Sequence, residues 1–330
     1  MTSHRRLIGL AAASGLACLV TCAPAAAQSW PSRPMTMVVP FAAGGGADVM
    51  GRIVAARLSE LLGQQVLVEN AGGAGGMTGA YRVAKAAPDG YQFVLGTNGT
   101  HAQNQSLYKN PLYNAATDFA PVALIAEQPI ALLTRKDLPA DNLQEFVAYA
   151  KANQAQMKYG SAGAGSAVQL SCVLLNAANG LRITHVPYRG SAPAMQDLIA
   201  GRIDYQCANV APALGQIESR QVKAIALLSA HRSVLVPDLP TADEQGLKDF
   251  DAIIWYALFL PKDTPAAIVR QLNAATIAAM NTSAVQERMK QIGADLVAPE
   301  RRSSEYLSKL VESEIAKWAG PIKASGVTAD

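Results

Sequence analysis

The chain reads as an α/β protein of two domains, and three observations predict this. Short β-type runs alternate with helical patterns from residue 35 onward, the alternation starts afresh near residue 130, and no new set of strands follows 252–261. A chain of 330 residues is long enough for two cores of ordinary size. The last third is helices behind a single strand, so it packs most economically against the first domain. That gives two crossovers, near 130 and near 250, with 28–130 plus 250–330 as one domain and 131–249 as the other.

Residues 1–27 stand apart. Arg5 and Arg6 precede the apolar stretch from Leu7 to Val20, and Ala25-Ala26-Ala27 ends the segment, the three-part pattern of a secretory signal removed on export. The apolar run is shorter than the roughly 20 residues a spanning helix needs. Cys18 and Cys22 lie near its end, but Gly15 and Thr21 before them fit a lipid-attachment box poorly. Removing 1–27 takes two arginines and no acid, so 28 basic residues become 26 against 25 acidic ones, and the net charge falls from +3 to +1. So even a balance leaves no electrostatic footprint for nucleic acid or an anionic membrane. Cys172 and Cys207 remain, either as one disulfide of an oxidising compartment or as two buried thiols.

In chain order, MTMVV (35–39), QVLVE (65–69) and YQFVLG (91–96) read as strands, separated by helical patterns at 49–63 and 77–87; together they predict a parallel sheet with helices on its faces. In the first helix Val49, Ile53, Ala56 and Leu58 form the apolar stripe. The β-type run 122–135 is broken at Pro129, and Asp141 is placed to cap a helix from Leu143 to Ala152. Strands at 157–161, 183–188, 203–210 and 222–228 then alternate with helices from Ser166 to Asn179 and from Ala192 to Ala200. After the buried run 252–261, in which Trp255 and Tyr256 either fill the core or face a cleft, helices are expected from Pro265 to Met280, Ser283 to Gln291 and Ser303 to Lys323.

Three loops share one design, in which a strand is followed by small residues and then a helix: PFAAGGGADVMGR (40–52), GTNGTHAQN (96–104) and YGSAGAGSAVQLS (159–171). A helix start leaves backbone N–H groups unpaired and glycine lets a ligand approach them, so each loop is a candidate anion site; the competing reading is that the glycines only permit tight turns. Ala47 and Asp48 after Gly46 stand where a P-loop needs Lys and Ser or Thr, and Val168 stands where a dinucleotide fingerprint needs its third glycine. No cofactor is therefore expected. A carboxylate suits the neutral groups Asn98, Thr100, Ser161 and Ser166, while Asp48 caps its loop through the helix dipole. Gly190 and Ser191 open another helix; beside them Arg189 is an exposed charge or a ligand partner, and Tyr188 a wall or core residue. No metal-ligand spacing and no nucleophile elbow occur. His101 is expected as a solvated loop histidine, and a hydrolase using Ser161 or Ser166 would lack an identifiable base and acid.

Three stretches carry a family likeness: "WPSRPMTMVVPFAAGGGADVMGRIVAARLSELLGQQVLVENAGGAGGMTGAYRVAKAAPDGYQFVLGT", "YGSAGAGSAVQLSCVLLN" and "THVPYRGSAPAMQDLIAGRIDY". Over about residues 30 to 325 the chain resembles the Bug-type periplasmic receptors of tripartite tricarboxylate transporters. The resemblance implies a two-domain type II Venus-flytrap binding protein, monomeric and non-enzymatic, that delivers a small organic carboxylate, mono- or dicarboxylic, to membrane subunits of such a carrier. It implies a ligand carboxylate pinched between loops of both domains: Phe41, Ala42, Ala43, Gly44 and Gly45; Asn98 and Thr100; Ser161, Ala162, Gly163, Gly165 and Ser166; with Gly190, Ser191 and Asn209 completing the wall. The run Tyr205-Gln206-Cys207-Ala208-Asn209 departs from the family pattern, which leaves selectivity open. Alternatives of other classes are a secreted hydrolase of small esters and a ligand-sensing partner of a membrane kinase.

Overall fold

The computed structural model describes residues 30–329; the expected signal peptide, 1–27, lies outside the described residues. Strand β1 (Met35–Val39) pairs in parallel with β2 (Val66–Asn70) and β3 (Gln92–Thr97). The long β4 (Phe119–Arg135) then leaves this group for a second one, formed by β5 (Lys158–Ser161), β6 (Thr184–Pro187), β7 (Tyr205–Asn209) and β8 (Val222–Leu227). Strand β9 (Ile253–Pro261) returns between β3 and β4, and the two-residue β10 (Asp295–Leu296) pairs with β4, giving the order β2-β1-β3-β9-β4-β7-β5-β6. The chain thus passes between two sheet halves twice, once inside β4 and once between β8 and β9.

The sheet is mixed rather than parallel throughout, because the two crossover strands run against their neighbours: β9 is antiparallel to β3 and β4, and β4 is antiparallel to β7 and β8. Pro129 does not break β4. It is the last residue in register with β9, and Ile130 is the first in register with β7, so the missing N–H falls where the strand changes partner.

Helix α1 (Gly46–Leu62) follows β1, ends on Gly63 with φ 65°, and buries Met50, Ile53, Val54 and Leu58 against the sheet. Ala56 is exposed and Ala55 takes the buried position, because the stripe of a helix held between a sheet and its neighbouring helices is wider than one line of contacts. Helix α2 (Met77–Ala84) precedes β3; after β3 comes a wide π-turn (Gly99–Gln103) running into the short α3 (Asn104–Leu107). The second half holds α4 (Leu143–Asn153), α5 (Ala167–Ala178), α6 (Ser191–Ile199) and α7 (Val210–Glu218). Asn142, not Asp141, caps α4: its side chain accepts from the Glu145 N–H at 2.9 Å, whereas Asp141 reaches outward to Lys223. Helices α8 (Ala266–Met280), α9 (Ser283–Gln291) and α10 (Ser304–Ser325) follow β9; α8 and α10 pack on β4, and α8 and α9 against α1.

A small separate core, with Leu133, Met195, Leu198, Ile203, Val210 and Leu227 among its members, lies under α6 and α7. Cys172 on α5 and Cys207 on β7 are joined in a disulfide with Cα atoms 5.6 Å apart, which ties that helix to the strand that leads into α7.

Candidate functional site

Four strand-to-helix connections converge at the carboxyl ends of β1, β5, β6 and β7, where ligands bind in open α/β sheets. They enclose two adjoining cavities. The smaller, about 30 Å³, is lined by Phe41, Gly45, Gly46, Ala47, Thr97, Ala162, Ser166, Ala167, Val168, Ser191, Asn209, Ile254 and Tyr256. The larger, about 150 Å³, shares Gly45, Gly46, Ser191 and Asn209 and adds Gly44, Ala192, Met195, Gln196, Gln206, Ala208, Pro212, Ala213 and Gln216. A wider groove of about 660 Å³ elsewhere, rimmed by Lys136, Asp141, Glu218, Arg220, Lys223 and Asp238, is a surface of both charge signs and involves none of the glycine loops.

Every residue lining the two cavities is uncharged. What polarises them is the backbone. The residues that start α1, α6 and α7, namely Gly45, Gly190 and Asn209, give no side-chain cap to their helices, so the first-turn N–H groups lack a side-chain acceptor. Each such end carries about half a positive charge, contributing up to about 2 kcal/mol to holding an anion in a partly buried setting. Three of them supply a large share of the roughly 8 kcal/mol of a micromolar complex, with no cation needed. Helix α5 differs: Ser166 caps it by accepting from the Gln169 N–H at 3.3 Å and donates its own proton to the Gly163 carbonyl at 2.7 Å.

Asp48 braces the first loop from behind. Its carboxylate accepts from the Gly44 N–H at 2.9 Å, from Arg52 Nε at 3.1 Å and from Asn70 Nδ2 at 3.0 Å. Burial works to raise its pKa, but hydrogen bonds from Arg52, Gly44 and Asn70 outweigh it and hold the group below the ordinary carboxylate range. A side chain at Gly46 would have to displace Asn209: a Cβ there would stand 2.4 Å from Asn209 Oδ1 and 3.1 Å from Tyr256 Oη. Asn209 in turn donates from Nδ2 to Gln128 Oε1 at 2.9 Å, one residue before Pro129.

Of the residues singled out from sequence, Phe41, Gly44, Gly45, Ala162, Ser166, Ser191 and Asn209 line the cavities. The others stand behind or beside them. Ala42 donates its N–H to the Arg189 carbonyl at 2.9 Å and packs on Gly190, while Ala43 is exposed. Asn98 donates to the Ile253 carbonyl at 2.8 Å, and Thr100, fully buried, bonds His101 Nδ1 at 2.8 Å. Gly163 and Gly165 approach Gly75 and Asn104 from across the cleft. The Arg189 side chain is exposed, and Tyr188 donates to Asp197 at 2.5 Å.

His101 is not a solvated loop residue. It is wholly buried, stacked on Phe259 with ring centroids 3.8 Å apart, and burial pushes its pKa down to about 3, because the π-turn after β3 folds the ring back over Gly96 rather than out to solvent. Ser161 does have a neighbouring histidine, with its Oγ 2.7 Å from His185 Nε2. That Ser Oγ also accepts from the Gly163 N–H and lies 3.1 Å from the Gly163 carbonyl, and Ser161 lines neither cavity.

Sequence reading missed α7 and, with it, the wall formed by Pro212, Ala213 and Gln216. The signal was present: Asn209 is a favourable cap residue, and Val210, Ala213 and Ile217 recur at helical spacing. Tyr256 faces the smaller cavity while Trp255, its neighbour on the strand, points the other way and donates to Glu314 Oε2 at 3.3 Å, as the alternation of side chains along a strand requires.

Residues 50–327 match the profile of the tripartite tricarboxylate transporter family receptor. A protein of Agrobacterium vitis, encoded in the TAR-I ttuE-ttuC' intergenic region, is 43% identical over 91% of this chain and 87% of its own length. The solved structure of the periplasmic binding protein BugD superposes with a TM-score of 0.87 at 39% identity, covering 91% of this chain and all of that one (100%). MatC from Rhodopseudomonas palustris, solved with bound malate, gives 0.86 at 40% identity, covering 89% and 100%. The architecture is therefore the α/β periplasmic binding protein fold, and the chain belongs to the tripartite tricarboxylate transporter receptor family, among its Bug-type members.

Proposed function

We propose that this chain is a periplasmic receptor that holds a small organic carboxylate, mono- or dicarboxylic, between its two halves and presents it to the membrane subunits of a tripartite tricarboxylate-type carrier. The halves act as lobes, 28–130 with 250–330 and 131–249, and the protein works as a monomer. One observation carries the reading: three uncapped helix starts, α1 from one half and α6 and α7 from the other, face a common space whose lining bears no charge. Such a space rewards one anion and disfavours a cation. That MatC holds malate supports the choice of carboxylate.

The mechanism is domain closure. The lobes touch through the bond from Ala42 N to the Arg189 carbonyl at 2.9 Å and through Tyr108 Oη donating to the Ala164 carbonyl at 2.7 Å. A ligand gripped by α1 on one side and by α6 and α7 on the other stabilises this closed form by its differential affinity for it, and by no more. The carrier then reads the closed state. An esterase has one observation in its favour, the Ser161–His185 contact, but the Ser161 oxygen is engaged by Gly163 and set off the cavities.

Thermal-shift screening of the purified protein tests the reading, since a ligand that binds only the folded form raises the melting temperature by mass action. Carboxylates should raise it while neutral sugars and amines leave it unchanged. Stabilisation by sugars or amines alone, or turnover of small esters, would refute it.

A further inference from the structure

The larger cavity runs on from the helix starts that border both cavities, and its far end reports on the other half of the ligand. Gln206 lines it and is wholly buried, and its amide carbonyl oxygen, Oε1, lacks any hydrogen-bond partner. The amide nitrogen is turned to Met195 Sδ at 3.5 Å, a weak acceptor. An unmatched carbonyl in a closed site is costly until a donor meets it. A bare acceptor oxygen repels a second carboxylate rather than pairing with it, and the lining includes no Asp or Glu to compensate an ammonium group. A neutral donor satisfies both constraints.

Size narrows the ligand further. A cavity of about 150 Å³ admits a guest near the size of benzene. Because Gly45, Gly46, Ser191 and Asn209 border both cavities, only a few bonds separate the head group from the other end.

We infer that the preferred ligand is a compact monocarboxylate whose far end is a hydroxyl or a primary amide, and that Gln206 is the residue that selects it. This rests on the carboxylate reading above. The head group sits among the helix starts, and the ligand's O–H or N–H donates to Gln206 Oε1. A second carboxylate would instead bring its own lone pairs against that oxygen.

Titration calorimetry of the purified protein with four four-carbon acids tests this: 4-hydroxybutyrate, succinamate, butyrate and succinate. At least one of the first two should bind about tenfold or more tighter than both butyrate and succinate. Q206L should erase that preference, bringing the hydroxy and amide acids to within about twofold of butyrate, since leucine is close in volume and removes the amide with its acceptor oxygen. If Q206L does not fold, the ranking in the unaltered protein decides alone. Succinate binding tightest, equal affinities across the set, or a preference that survives Q206L would overturn the assignment of Gln206. If none of the four binds but another carboxylate raises the melting temperature, this inference falls and the receptor reading stands; if no carboxylate acts, both fall.

Discussion

The two walls of the cleft are built from different materials. On the β1–α1 side the ligand space meets Phe41, Gly44, Gly45, Gly46 and Ala47, which offer main-chain N–H groups and no polar side chain. On the opposite side it meets Gln196, Gln206, Gln216, Ser191 and Asn209, whose amides and hydroxyl crowd around the larger cavity. Main-chain donors at a helix start recognise negative charge and little else, because every sequence presents the same N–H. Side-chain amides can be exchanged by single substitutions, so under the proposed reading that wall sets which acid is taken, while main-chain donors from both walls hold acids in general. The difference separates affinity for the class from choice within it.

The largest effect on this comparison should come from the disulfide, which braces only the side-chain wall. Cys172 and Cys207 close a span of 35 residues, a constraint worth about 4 kcal/mol on loop entropy. A Cys172→Ser, Cys207→Ser double variant should lose stability of that order in urea unfolding. It should also discriminate among acids less sharply, since Cys207 adjoins Gln206, while the bare wall stays intact.

Gly46→Val attacks the bare wall itself. A side chain there must displace Asn209 and Tyr256, so carboxylate affinity should fall by about 100-fold for every acid alike, read by calorimetry. A loss confined to some acids would erase the proposed division between the walls.

Asn209→Ala probes the junction between them. It removes the bond to Gln128 next to the crossover in β4 and should weaken binding by about tenfold, with stability reduced by about 1 kcal/mol.

The smallest effect concerns pH, and each half contributes one histidine. Burial lowers His101 to about 3 and His185 to about 4, so both are neutral in the fold, whereas the unfolded chain takes up protons below about 6.5. Stability is therefore full above that pH and lost as pH falls towards each folded value, by about 1 kcal/mol per unit for fully buried His101. Between pH 7 and 5 both groups take up protons only in the unfolded chain, so the two slopes are alike, and His185 falls short only as pH nears 4. The fall in urea midpoint between pH 7 and 5 should therefore flatten to a similar extent in His101→Gln and in His185→Gln.

Local patterns made the alternating elements and the glycine loops legible, because strand and helix periods and small residues act locally. The direction of the crossover strands was not legible: β4 and β9 read as ordinary buried runs, and only their long-range register sets them antiparallel. The same limit hid which loop residues line the cavities. Thr100 and Ser161 carry the polarity expected of site residues, but they spend it on His101 and on Gly163 and His185. The run 205–209 stood out as a departure from the family pattern, yet nothing in it marked Gln206, whose unmatched oxygen is a property of packing against Met195.

A crystal structure of the protein with a bound carboxylate tests the central claim most directly. The account predicts carboxylate oxygens within about 3 Å of N–H groups at the starts of α1 and of α6 or α7, with no cationic side chain or metal in contact. A head group paired instead with an arginine, such as Arg189 swung inward, or lying outside the space between the two halves, would contradict it.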